Sequence, residues 1–271
     1  MSYGIGMGHK ISNERLTSLQ QGAFFGTGEE ASINDAYVVS NADDEFSDWD
    51  TWTIAIWLNC TGHIDWLASG TTDYLMSLGP ISHKGFTIAQ FNGSVKIIVG
   101  NGSSSIGTYT DPLSGSSLTG TQPPSSYPGE HILIVGRRDA AANTNKIFAR
   151  TAHSEFSGSD TGGGAHWGDP GTDVSLAFGG RDTASSGIFI NQDWRGNSRV
   201  SQAGMWKEYL SDANITSIWN SHNSKLDKLG IGTMRHHWVF NHNPTNTAPV
   251  DRITTAAKNL SINDDAKIRS W

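Results

Sequence analysis

The sequence predicts an all-β fold, two antiparallel sheets packed face to face as a sandwich with one short helix. Three observations predict it. The 271 residues include 31 glycines and ten tryptophans, at a hydrophobic content of only 36%; glycine-rich turns between short aromatic-rich runs are an all-β composition. Residues 52–58 alternate, with Trp52, Ile54, Ile56 and Leu58 on one face and Thr53, Ala55 and Trp57 on the other, the period of a strand. Residues 86–91 and 94–99 are alternating runs joined by Asn92-Gly93, which supplies the positive φ angles of a type I′ hairpin turn.

The elements follow in order. Residues 1–22 are glycine-rich, then polar, and lack a period; they read as an arm or lead-in. Residues 23–271 read as one sandwich domain, a size at which sandwiches often stay undivided. Its core is expected over 23–222, with a C-terminal strand and polar extension over 223–271. Short strands are expected at 23–26 and 36–40. Residues 100–129 and 158–173 are rich in Gly, Ser, Thr and Pro or Asp and read as long loops. Residues 131–136 and 146–150 form a second hairpin, and 174–178 and 187–190 further strands. Ser211 is a good N-cap, Asp212 sits at the positive helix end, and Leu210 and Ile215 have staple spacing, which predicts a helix over 212–221. Ile215, Ile218 and Trp219 share its apolar face. Residues 234–240 read as a strand. The last thirty residues are polar and weakly patterned.

Composition excludes several functions. Net charge is -7, and Arg137–Arg138 is the only adjacent basic pair, so no nucleic-acid partner is expected. No run approaches the ~18 apolar residues of a membrane span, so no membrane insertion is expected. Cys60 is the single cysteine, so no intrachain disulfide can form; it reads as a small buried hydrophobe. Residues 1–10 show no apolar stretch of a signal peptide, which fits synthesis in a reducing cytoplasm.

Candidate chemistry is sparse. Asp43, Asp44, Glu45, Asp48 and Asp50 precede the Trp52 strand. They read as a solvated acidic turn or as a Ca²⁺ site with Asp43, Asp44 and Asp48 as ligands. Asp169 and Asp173 are a weaker pair. A glycosidase needs paired carboxylates, yet no strand carries acids at alternate positions, and Glu208 stands alone beside Tyr209. His236, His237 and His242 cluster and read as surface or capping histidines, or as zinc ligands. No Gly-x-Ser-x-Gly elbow is present. No catalysis and no required cofactor are expected. Trp52, Trp206, Trp219 and Trp238 lie in periodic segments and read as core. Trp66, Trp167 and Trp194 lie beside Gly, Asp or Asn in loops, where aromatic faces suit stacking on sugar rings or protein contact.

Residues 199–220, Arg-Val-Ser-Gln-Ala-Gly-Met-Trp-Lys-Glu-Tyr-Leu-Ser-Asp-Ala-Asn-Ile-Thr-Ser-Ile-Trp-Asn, carry a strand that runs into Leu-Ser-Asp and a helix. This segment resembles the signature near the end of laminin-G-like, concanavalin-A-like domains. Residues 52–58 resemble that family's Phe-Thr-Ile-x-x-Trp-Val strand, and residues 176–180, Leu-Ala-Phe-Gly-Gly, its Leu-x-Ile-Gly-Gly strand. The resemblance spans roughly residues 23–222 and implies a jelly-roll sandwich, with calcium often held at a rim in relatives. Asn214 stands where a Glu commonly closes the helix-start motif, and the Asp-Gly that often precedes the Gly-Gly strand is missing.

A chain of this type is similar to virion proteins of tailed phages. That similarity implies a structural or adhesion role in the virion, as a capsid decoration or a fibre module. Its partners would be other virion proteins or copies of itself, with surface glycans as a further partner class. The arm, with Tyr3, Ile5 and Met7, would enter the interface of a homo-oligomer. A free-standing calcium-assisted lectin is the alternative, and a glycosidase is less favoured.

Overall fold

The computed structural model describes residues 22–24, 36–39, 46, 49–60, 72–78, 86–91, 94–99, 108–110, 131–152, 155–161, 175–182, 188–190, 198–222, 224–240, 251–253, 261–263 and 267–269. The strands are β1 (Gly22–Phe24), β2 (Ala36–Val39), β3 (Trp52–Cys60), β4 (Thr72–Leu78), β5 (Phe86–Phe91), β6 (Ser94–Val99), β7 (Thr108–Thr110), β8 (His131–Asp139), β9 (Thr144–Arg150), β10 (Glu155–Thr161), β11 (Leu176–Phe178), β12 (Gly180–Asp182), β13 (Ile188–Ile190) and β14 (Ser198–Trp206). Helix α1 (Asp212–Asn220) follows, then β15 (Met234–Val239), β16 (Ser261–Asn263) and β17 (Lys267–Arg269).

One sheet runs β10-β9-β8-β3-β14-β1-β17, with β15 also paired to β14. The other runs β16-β2-β11-β4-β5-β6-β7, and β12-β13 form a small ribbon. The pairings among described strands are antiparallel, as in Trp57↔Leu133 of β3 and β8 and Phe91↔Ser94 of β5 and β6. The second of these leaves two residues, Asn92-Gly93, to join the strands, the length of a tight hairpin loop.

Alternation decides which residues go inside. Ile54, Ile56 and Leu58 of β3 share one buried cluster with Met76, Phe86, Ile88, Ile97, Leu176 and Phe178 of the opposite sheet. The two sheets therefore face each other across a common core, a β-sandwich. Trp52 reaches across to Phe86, with ring centroids 5.3 Å apart. Gly136 marks a close approach of the sheets, since a Cβ there would fall 2.7 Å from Ile97 Cδ1.

The outer face of β3 is covered as well. Ala55 and Trp57 join Leu133, Val135 and Phe148 in a second buried cluster, roofed by Leu210, Ile215 and Ile218. Trp57 is only 1% exposed. Helix α1 begins where capping chemistry predicts: Ser211 Oγ accepts from Asn214 N at 3.2 Å. It stops at Asn220, with Ser221 as C-cap donating to Ile218 O.

Several expectations are corrected. Gly158–Thr161, assigned to a loop over 158–173, belong to β10, and Gly22 of the expected arm opens β1. Thr108–Thr110 form a strand inside the expected 100–129 loop, and β16 and β17 lie in the polar extension. Three-residue strands and a serine-rich edge strand carry too few apolar alternations to show a period. Trp219, grouped with the core tryptophans, is only partly buried, unlike Trp52, Trp206 and Trp238. Phe46 and Trp49, inside the acidic segment, are fully buried core residues. Among the described residues, no helix is long and apolar enough to cross a membrane.

Candidate functional site

The sequence-predicted contact residues Trp66, Trp167 and Trp194, the arm residues Tyr3, Ile5 and Met7, and the candidate calcium ligands Asp43, Asp44 and Asp48 lie outside the described residues. Among the described residues, no group of three or more His, Cys, Asp or Glu side chains is placed to hold a metal ion.

The described residues form a different site, on the outer face of the β10-β9-β8 end. Registers Arg137↔Lys146, Val135↔Phe148 and Leu133↔Arg150 put Lys146, Phe148 and Arg150 on the face that α1 covers. Lys146↔Ser159, Phe148↔Ser157 and Arg150↔Glu155 continue that row onto β10. Helix α1 packs Ile215 and Ile218 against Ala55 and Trp57 of β3, Leu133 and Val135 of β8 and Phe148 of β9. A groove of about 280 Å³ remains between the helix and the edge strand. Phe148 and Ile215 give it apolar walls; Ser157, Ser159 and Thr216 give it hydroxyls; Arg137, Lys146, Asp212 and Glu155 give it charge.

Two ion pairs fix its ends. Arg137 is 5% exposed and lies over the Tyr209 ring at 4.8 Å. Its Nη1 donates to Asp212 Oδ1 at 2.6 Å and to Leu210 O at 2.8 Å. The hydrogen bond from Arg137 and its positive charge hold the Asp212 carboxyl below the usual carboxylate range. Asp212 is a first-turn acid, where the helix dipole favours its charge too. At the far end Arg150 Nη1 meets Glu155 Oε2 at 3.3 Å and lies 4.8 Å over the Trp219 ring. Trp219 stacks on Trp57 at 5.5 Å, which stiffens that end. Sequence reasoning missed the groove because Gly158–Thr161 of β10 read as loop and residues 155–157 were assigned to no element; the alternation Glu155-x-Ser157-x-Ser159 was the available signal.

His131 edges the buried Trp57 at 5.9 Å and His222 at 5.5 Å. Burial first, then the charge of His222, lowers its pKa from 6.5 to about 4. The folded state therefore resists a proton that the unfolded chain takes up near pH 6.5. Stability from this site is full above that pH and is lost as pH falls from 6.5 toward 4. His222→Gln removes the repulsion, so the His131 imidazole resonances should titrate at higher pH by NMR. An unchanged midpoint would mean that burial alone sets the shift.

His236 and His237 are not surface or capping residues, as expected, but fully buried. His236 Nδ1 lies 2.7 Å from Asp251 Oδ2. His237 Nε2 lies 3.0 Å from Gln202 Oε1, and its other nitrogen 3.3 Å from Asp227. Burial lowers the His237 pKa against the opposing pull of Asp227. Antiparallel strands alternate faces, so the two rings point apart and converge on no shared metal position. They serve the fold, pinning the segment around Asp251 to β15.

No family model and no curated protein matches this chain. Among solved structures it is similar to the CBM40 module of the Ruminococcus gnavus IT-sialidase, at 14% identity and a TM-score of 0.46, covering 74% of this chain and 98% of that one. It is similar to a heptameric SAP-like pentraxin from Limulus polyphemus, at 11% identity and a TM-score of 0.45, covering 90% and 94%. It is also similar to the enzymatically active domain of tailspike protein 2 from bacteriophage CBA120, at 12% identity and a TM-score of 0.45, covering 80% of this chain and 34% of that one. The sandwich architecture itself rests on this chain's own strand pairing.

Proposed function

We propose that this chain is a non-catalytic binding module that holds carbohydrate in the groove between α1 and β10. The observation that carries the reading is the composition of that groove: hydroxyls and charged groups beside apolar side chains in a cavity of about 280 Å³. A sugar ring presents the complementary pattern, an apolar face edged with hydroxyl donors and acceptors. The two groove carboxylates favour binding over hydrolysis. Each is held by an arginine, and Asp212 is kept ionised, so it has no proton to give a leaving group.

Ser157→Trp tests the reading. Ser157 is exposed on the edge strand, so the indole fills the groove at little cost to the fold. Loss of binding across a glycan array, with the circular dichroism spectrum unchanged, is the expected result. Undiminished binding would place the site elsewhere.

The similarity of a sandwich chain with a strand over 235–240 after its core to virion proteins of tailed phages supports a finer reading, a phage virion component that presents this sandwich in many copies. Repetition multiplies weak contacts. In that setting residues 1–21 would bridge neighbouring subunits, and the module would act on the particle surface. Deleting residues 1–21, which leaves β1 intact, should lower the mass in solution by light scattering. An unchanged mass would remove the arm from assembly.

A further inference from the structure

The groove has a charge imbalance that the fold does not use. Arg137 and Lys146 stand directly opposite each other on β8 and β9. Like charges at such a position repel and destabilise a sheet. One carboxylate, Asp212, serves both: it pairs with Arg137 at 2.6 Å, and Lys146 acts on it at longer range. Glu155 belongs to Arg150 at the other end. Asp139, the next outer-face acid on β8, accepts Ala142 N at 3.2 Å in the hairpin turn. Among the described residues, Lys146 makes no ion pair within 4 Å, and the buried Arg137 Nε has no hydrogen-bond partner. A chain with net charge -7 thus keeps one surplus positive charge and one unmet guanidinium donor at one end of a groove.

We propose that this end is an anion subsite, and that the groove selects acidic sugars, with a ring carboxylate seated between Lys146 and Arg137. This rests on the carbohydrate-binding reading above and names the class of sugar. The carboxylate would supply the missing negative charge, accepting from Lys146 Nζ beside the positive charge of the Arg137 guanidinium. The rest of the saccharide would run along β9 toward Arg150 and Trp219, over Phe148. Lys146, Phe148 and Arg150 are about 7 Å apart in succession along the strand, so the row spans more than one ring.

The test is calorimetric titration with a galacturonate oligosaccharide and its neutral galactose counterpart, at low and high salt. The protein should bind the acidic sugar about tenfold more tightly, the size of one charge-assisted hydrogen bond, and the preference should shrink with salt. Lys146→Gln, a partly exposed site, should reduce that preference to near one, and Lys146→Arg should keep it. Equal affinity for both sugars, or a preference that survives Lys146→Gln, overturns the anion subsite and leaves the groove reading standing. Binding of neither sugar overturns both.

Discussion

Trp52→Ala should lower the free energy of unfolding by about 3–5 kcal/mol, read from urea denaturation. Few single changes in this chain should cost more. The indole is fully buried and meets Phe86 of the opposite sheet at 5.3 Å. Its removal leaves a cavity at the contact between layers, where two rigid sheets cannot collapse to fill it. The loss is a large share of the ~5–15 kcal/mol that holds a typical domain. Trp52→Phe keeps an aromatic ring against Phe86 and should recover more than half of the loss. A cost under about 1 kcal/mol for the alanine variant, the scale of a surface change, would mean that the sheets do not meet at this residue.

Asp251→Ala should be nearly as damaging, at about 3 kcal/mol. Asp251 is 3% exposed. It lies 2.7 Å from His236 Nδ1 and accepts His237 N at 3.0 Å and Ile253 N at 3.1 Å. Truncation strands these groups away from water. Glu155→Gln provides the contrast. Its pair with Arg150 is solvent-exposed on the Glu side, and such pairs contribute about 0–1 kcal/mol. Equal costs for Asp251→Ala and Glu155→Gln would show that the buried carboxylate is not what ties residue 251 to β15.

Local features of the fold were legible in the sequence, and remote ones were not. The row Trp52, Ile54, Ile56, Leu58 alternates over enough residues to declare a strand, and its far-face partner Trp57 even hinted at a second layer. The helix showed itself through Ser211, Asp212 and the Leu210–Ile215 staple. What stayed hidden depends on partners distant in the chain. Phe46 and Trp49 are flanked by acids, so their burial shows only when the segment is folded onto the core. His236 and His237 read as surface residues because their partners, Gln202, Asp227 and Asp251, lie 10 to 35 positions away. The groove needs β9, β10 and α1 together, and β10 has no hydrophobic period to announce it.

The strand order also dictates when the chain can fold. β1 sits between β14 and β17, pairing Ala23 with Val200 on one side and with Ile268 on the other. β2 is likewise joined to β16, Tyr37 to Ile262. Each sheet thus seats a strand from the first forty residues beside one made more than two hundred residues later. On the ribosome the first sheet cannot be completed until residue 269 has emerged, nor the second until residue 263 has. Until then β1 and β2 lack those partners, and their open edges invite pairing with other chains. Pairings of such long sequence separation also carry a high loop-closure cost and slow folding. Synthesis rate and chaperone occupancy should therefore govern the yield of this protein more than its final stability does.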